Sequence, residues 1–244
     1  MKKLISYTLS SGHEKWKHSL EKEQAIFYLN KQVSTSLKCG WVKNDIIIAT
    51  NFDYELFDIK SFNIEVEFKN QVGCCLSKYI ALNWAIERFG ENLWVNDHDN
   101  FQFKPFETKN IDKILEKYDI YCSGQIKKIK PEKSKVEWSD LSIFFSPRCS
   151  GYLKEFLNIN KNLNLNKGSG FKAAKFFLNK IPNKVLMENY YKYPYRFNIA
   201  SENQEAWKSR ISKFEKNKIK PFCIHGKIES AGFKNACDYL GIDI

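Results

Sequence analysis

No apolar run in this 244-residue chain approaches the ~20 residues that a membrane-crossing helix requires. The opening MKKLISYTLSSGHEKW holds too short an apolar stretch for a secretory signal, so a cytoplasmic protein is expected. No C-x-x-C pair occurs among the seven cysteines, Cys39, Cys74, Cys75, Cys122, Cys149, Cys223 and Cys237. That argues against a zinc site or redox couple, and an odd, scattered set reads as reduced, buried, small apolar residues. There is no internal repeat and no linker-separated second unit. Disorder is excluded as well, because 43% hydrophobic and 15% aromatic content can bury a sizeable core.

What the chain has in excess is positive charge. Thirty-nine Lys and Arg stand against 28 Asp and Glu, a formal net charge of +11. Such a field concentrates phosphate-rich ligands: nucleotide sugars, nucleic acid or anionic membrane surfaces. A Lys- and Asn-rich chain with merely solvated lysine faces carries the same signature.

Apolar strands alternate with amphipathic helical patterns, which predicts an α/β layer architecture. KLISYTLSS (3–11) reads as a first strand and HSLEKEQAIFYLNKQVSTSL (18–37) as the helix after it. DIIIATNF (45–52) is an isoleucine run suited to a parallel sheet covered on both faces. FNIEVEFK (62–69) alternates strictly and is expected as a strand with one wet face. LSKYIALNWAIERFG (76–90) follows as a helix with Ser77 as N-cap and Gly90 as stop. DIYCSGQ and DLSIFFS read as strands, and GYLKEFLNIN, GFKAAKFFLNKI and NQEAWKSRISKFEKN as helices. KIKPEKSK (128–135) reads as an exposed charged loop.

The strand NLWV runs directly into Asp97, His98, Asp99 and Asn100. An acidic pair at the carboxyl end of a helix-fed strand lies where open α/β sheets bind ligands. Two carboxylates at i and i+2 can approach one hard cation, whose open positions take phosphate oxygens and water. The same short pattern also occurs as a plain polar turn. A second apolar strand, late in the chain, ends in His225, Gly226 and Lys227. The imidazole could be a third ligand, the glycine lets backbone approach phosphate, and the lysine adds charge.

These features together resemble the metal-dependent glycosyltransferases of the GT-A fold, closest to the glycogenin-like and galactosyltransferase-like branch. The order shared is SYTLSSG, then Lys78 in the helix before the metal strand, then the Asp-x-Asp of NDHDN, then the late CIHGKI. Here the late His, Gly and Lys are more closely spaced than that branch usually writes them. The resemblance implies a Rossmann-like, mixed but mainly parallel sheet flanked by helices, with an elaborated C-terminal half. It divides a single domain into a nucleotide-sugar half, 1–107, and an acceptor half, 108–244. It implies Mn²⁺ or Mg²⁺ held by Asp97, Asp99 and His225. A nucleotide sugar, a UDP-sugar above all, would lie against Asp97, Lys78, Gly226 and Lys227, with Tyr7 and Thr8 near base and ribose.

On the acceptor side, Asp140 and Glu188 are the carboxylates expected to act as general base or to stabilise positive charge on the sugar. Trp138, Arg148 and NYYKYPYRF are candidates for acceptor contact. The latter interleaves Tyr190, Tyr191, Tyr193 and Tyr195 with Lys192 and Arg196, and aromatic faces stack on sugars and nucleobases alike. With the net charge, this points first to a hydroxymethylated pyrimidine in DNA as acceptor. That would resemble the phage enzymes that modify such bases after flipping them from the duplex, in a bacterial or phage-infected host cell. The alternatives are a bacterial surface-glycan transferase and a nucleic-acid-binding module without catalysis.

Overall fold

The computed structural model describes residues 1–9, 20–64, 71–130, 133–137, 142–160, 176–199 and 206–244. Trp138 and Asp140 lie outside the described residues. Among the described residues the chain folds around a nine-stranded sheet and a separate three-stranded one. In the large sheet the order is β10 (Val185–Asn189), β7 (Ile120–Lys130), β9 (Ile143–Phe145), β5 (Leu93–Asp97), β1 (Lys2–Tyr7), β2 (Ile46–Thr50), β4 (Ile59–Asn63) and β3 (Glu55–Leu56). The remaining strand, β8 (Lys133–Glu137), pairs with β7. Pairings β1/β2, β1/β5, β2/β4 and β7/β10 are parallel, and β9 runs antiparallel between β5 and β7.

Burial explains why these strands read as continuous apolar runs. Along β1 and β2, Leu4, Ile47 and Ala49 enter one core with Ala81, Leu82 and Ala85 of α2 (Gln71–Phe89) and Phe156 of α4 (Ser150–Asn160). Ile5, Ile46 and Ile48 enter the opposite core with Ala25, Leu29 and Val33 of α1 (Lys22–Lys38). A strand covered on both faces keeps no polar face, and each fully buried aliphatic side chain adds about 1.5–3 kcal/mol. Below β9, α3 (Thr108–Lys117) packs Ile111 and Leu115 against Trp94, Tyr121 and Phe144.

The small sheet orders β11 (Phe197–Asn198), β12 (Cys223–His225) and β6 (Asn100–Gln102). Its apolar residues Phe101, Phe197 and Ile224 share a core with Trp207 and Ile211 of α5 (Ala206–Lys216) and Phe233 of α6 (Ala231–Leu240). Ser230 caps α6 through a bond from Phe233 N, and Gly241 ends it at φ 63°.

Three expectations change. The helix expected from residue 76 begins at Gln71, so Ser77 lies inside it; its hydroxyl pairs with Thr8 Oγ1 at 3.0 Å across to the end of β1 instead of capping. Of the charged stretch expected as a loop, 128–130 lie on β7 and 133–135 on β8, paired in antiparallel register, while 131 and 132 lie outside the described residues. Backbone pairing at a sheet edge needs no apolar side chain, and charge protects such an edge. The strand expected over 62–69 belongs to β4, which starts at Ile59; 65–69 lie outside the described residues.

Lys3 is wholly buried on β1. Its Nζ donates to Ser36 Oγ (2.7 Å) and Gln102 Oε1 (3.3 Å) and lies 4.4 Å from the Trp94 ring centroid. Burial pushes its pKa down from 10.5 to about 8, opposed by Cys223 and Cys39. Between those values the unfolded chain holds the proton and the folded chain does not, so folding is favoured as pH rises. Urea unfolding of wild type and Lys3→Met is therefore expected to show the wild type gaining about 3 kcal/mol on the variant between pH 8 and 10.5. A difference independent of pH would mean an ordinary lysine.

Candidate active site

The chain leaves the large sheet at Asp97 and enters the small one at Asn100. His98 and Asp99 make the crossing. The crossing is a turn, and within it the Asp97 and Asp99 carboxylates come together. The His98 ring packs against Tyr7 (centroids 4.2 Å apart) and Tyr28 (5.6 Å). Burial pushes its imidazole down to about 4, which leaves it neutral at pH 7.

Strand pairing brings the late histidine to this turn. His225 lies opposite Asn100 in the antiparallel β12/β6 register. Gly226 N donates to Asp99 O (3.1 Å), and His225 Nε2 lies 3.0 Å from Asp99 Oδ1. The loop beyond is held by Tyr28 of α1, whose hydroxyl donates to Glu229 Oε2 (2.5 Å) and accepts from Ile228 N (3.0 Å). Ligand atoms of Asp97, Asp99 and His225 all fall within 4.8 Å of one another. Two carboxylates and an imidazole at that spacing suit a hard divalent cation such as Mg²⁺ or Mn²⁺, whose opposed ligands stand about 4.2 Å apart.

Asp97 is 5% exposed and carries two cations. Lys78 of α2 pairs with its Oδ1, and Arg196 NH1 lies 3.2 Å from Oδ2. Arg196, itself 4% exposed, also places NH2 2.9 Å from His225 Nε2. Burial is the largest single influence and works to raise the Asp99 pKa, but His225, His98 and Arg196 together outweigh it and hold the carboxyl well below its usual range. Tyr7 and Thr8, buried at the end of β1, adjoin the site because Ser6 pairs with Asp97. Lys227 is exposed beside it.

Glu188 is not part of this cluster. It lies on β10, at the same end of the sheet but three strands from β5, about 14 Å away at ~4.8 Å per strand. Its Oε2 accepts from Tyr121 OH at 2.7 Å. Arg148 is engaged at the end of α3: its Nε pairs with buried Asp119 (2.7 Å), and NH2 donates to the Leu115 and Tyr118 carbonyls. The tyrosine segment is also reassigned. Tyr193 and Tyr195 belong to the core around Trp94 and Phe144, and Tyr190 and Tyr191 pack by α5 on Phe214.

Arg196 is the site residue that the sequence placed elsewhere, among acceptor contacts. A signal was present, since the chain has only four arginines among its 39 basic residues. Arginine in a lysine-rich chain marks positions needing a rigid fork of donors, and both Arg148 and Arg196 use theirs in that way.

No protein-family model matches the chain, and no curated protein matches its sequence. Solved structures do match in fold. A glycosyltransferase involved in glycosylation of the major capsid of PBCV-1 aligns with TM-score 0.57 at 10% identity, covering 99% of this chain and 100% of that one. Glycosyltransferase GlyE of Streptococcus pneumoniae TIGR4 aligns at 0.53 and 9%, covering 99% of this chain and 60% of its own. Mouse xyloside xylosyltransferase 1 aligns at 0.51 and 7%, covering 94% and 98%. The fold is thus the mixed, mainly parallel GT-A architecture that these glycosyltransferases share.

Asp97→Asn removes one carboxylate charge from between two buried cations. It is expected to lower the unfolding free energy by about 3 kcal/mol in urea titrations. Adding Lys78→Met is expected to restore part of the loss, and a double variant no more stable than Asp97→Asn would contradict the pairing.

Proposed function

We propose that the protein is a glycosyltransferase that moves a sugar from a nucleotide-sugar donor, foremost a UDP-sugar, to a hydroxyl acceptor. The observation that carries this is the convergence of Asp97, Asp99 and His225 at the carboxyl end of the parallel strands, beside Lys78, in a fold shared with glycosyltransferases. A Mn²⁺ or Mg²⁺ ion bound by those three residues would neutralise charge that develops on the departing diphosphate.

The chain's own groups do the rest. Lys78 and Arg196 present cations toward the diphosphate, exposed Lys227 adds charge at the rim, and Gly226 lets backbone approach. A Cβ there would meet Phe233 at 3.2 Å, so a side chain at 226 would crowd the turn. Tyr7 and Thr8 border the nucleoside. The donor side draws on 1–107 together with Arg196 and 225–227, and the acceptor side on the rest of 108–244. Glu188, tied to Tyr121 on the same rim, is the carboxylate proposed to meet the acceptor, alongside Asp140.

A glycan hydroxyl is the acceptor we favour. The DNA-base acceptor drew on NYYKYPYRF as a stacking surface, and two of its tyrosines are in the core. What continues to favour DNA is the +11 charge. The PBCV-1 neighbour acts in glycosylation of a capsid, in keeping with a glycan. A binding module without catalysis gives no reason to bury an acidic pair among cations.

Incubation with individual UDP-sugars and Mn²⁺ is expected to release UDP slowly, and folded Asp99→Asn to release it roughly 100-fold more slowly. Release from no nucleotide sugar, or release unchanged in Asp99→Asn, would overturn the proposal. Labelled sugar offered with saccharide acceptors and hydroxymethylated duplex DNA is expected in the saccharide. Label in the DNA alone would restore the base acceptor.

A further inference from the structure

The acidic pair is already neutralised by the protein. Asp97 and Asp99 carry two negative charges, and Lys78 and Arg196 supply two positive ones within the same cluster. A divalent cation added to that balance would leave the cluster two charges in excess, in a buried setting where such an excess is costly. A donor diphosphate brings the charge that restores it.

Arg196 and Lys78 stand differently in this balance. Lys78 meets Asp97 from α2. Arg196 instead bridges Asp97 Oδ2 and His225 Nε2, two of the three groups that converge for the cation. The bridge is imperfect. His225 Nε2 faces both Asp99 Oδ1 at 3.0 Å and Arg196 NH2 at 2.9 Å, and one ring nitrogen can donate to the first or accept from the second, but not both. The Arg196 Nε–H is buried and has no hydrogen-bond partner among the described residues. A buried, unused donor of a planar fork is matched by a phosphate oxygen, which guanidinium recognises through paired N–H groups.

Resting on the donor site proposed above, we propose that Arg196 is an internal counter-ion that occupies Asp97 and His225 when no divalent cation is bound and is transferred to the donor diphosphate when one is. Cation and diphosphate then bind as a coupled pair, each relieving the charge excess that the other would create. Arg196 acts as a positioning residue for the ligand set in the first state and as a direct phosphate contact in the second.

The test is Mn²⁺ binding followed by the electron paramagnetic resonance signal of the free ion, with and without UDP, for wild type, Arg196→Gln, Arg196→Lys and Asp99→Asn. Without UDP, Arg196→Gln is expected to bind Mn²⁺ about tenfold more tightly than wild type, within the usual range of coupling between sites. UDP is expected to tighten Mn²⁺ binding by wild type and to do so much less for Arg196→Gln. Thermal melts supply a second readout, with Mn²⁺ alone raising the midpoint of Arg196→Gln more than that of wild type. If Arg196→Gln does not fold, Arg196→Lys decides, because a single ammonium cannot bridge Asp97 and His225 and is expected to show the same changes in smaller measure. Equal Mn²⁺ affinity in wild type and the Arg196 variants, with binding lost in Asp99→Asn, would overturn the counter-ion and leave the metal site standing. Absence of Mn²⁺ binding in every protein, with or without UDP, would remove both.

Discussion

The crossing from β5 to β6 sets the position of everything at the mouth of the sheet. Asp97 is the last residue of one sheet, Asn100 is the first of the other, and His98 and Asp99 span the gap. So short a link leaves the small sheet no freedom to move away from the large one. Asn100 pairs with His225, which pairs in turn with Asn198, so a single register delivers His225 to Asp99 and Arg196 to Asp97. A slip of one residue would turn His225 to the other face. The core that resists such a slip is Phe101, Phe197 and Ile224 against α5 and α6, far in sequence from the acidic pair it positions.

The spacing of two residues between the aspartates follows from the same segment. In the two-residue turn between β5 and β6 the two carboxylates meet at the cluster while the His98 ring enters the packing of Tyr7 and Tyr28. The intervening residue is therefore an anchor. Its burial fixes the turn from beneath, and its neutral ring adds no charge to the cluster. Asn100, which donates to Asn96 Oδ1 and to the Tyr195 carbonyl, ties the turn sideways to the chain that carries Arg196.

Much of this was legible in the sequence because it depends on local periodicity. The β2 isoleucines, the helix ending at Gly90 and the apolar strand before Asp97 announce themselves by pattern, since burial on two faces or on one stripe is written directly into residue spacing. Ser77 was misread because a serine before an apolar helical run looks the same whether it caps the helix or reaches across to Thr8. The charged stretch around Lys128 was misread because edge pairing is carried by backbone, to which composition is blind. The tyrosines of NYYKYPYRF were ambiguous for another reason: an aromatic ring packs equally well in a core and on a ligand, and only the tertiary neighbours decide. Arg196 depended on the β11/β12 register, which nothing near it in the sequence encodes.

A strongly basic chain that buries two carboxylates together has an electrostatic problem, and the solution constrains the chemistry. The carboxylates are not a bare acidic patch, because Lys78 and Arg196 pair with Asp97 and His225 pairs with Asp99. The His225 nitrogen is contested between Asp99 and Arg196, and the Arg196 Nε–H has no partner among the described residues. Buried polar networks that serve only stability tend to be fully satisfied, because each unmet group is costly in low dielectric. On the proposed function, the missing partner is the diphosphate. Its charge grows as the sugar departs, so positive groups held in place before reaction stabilise the later state more than the earlier one.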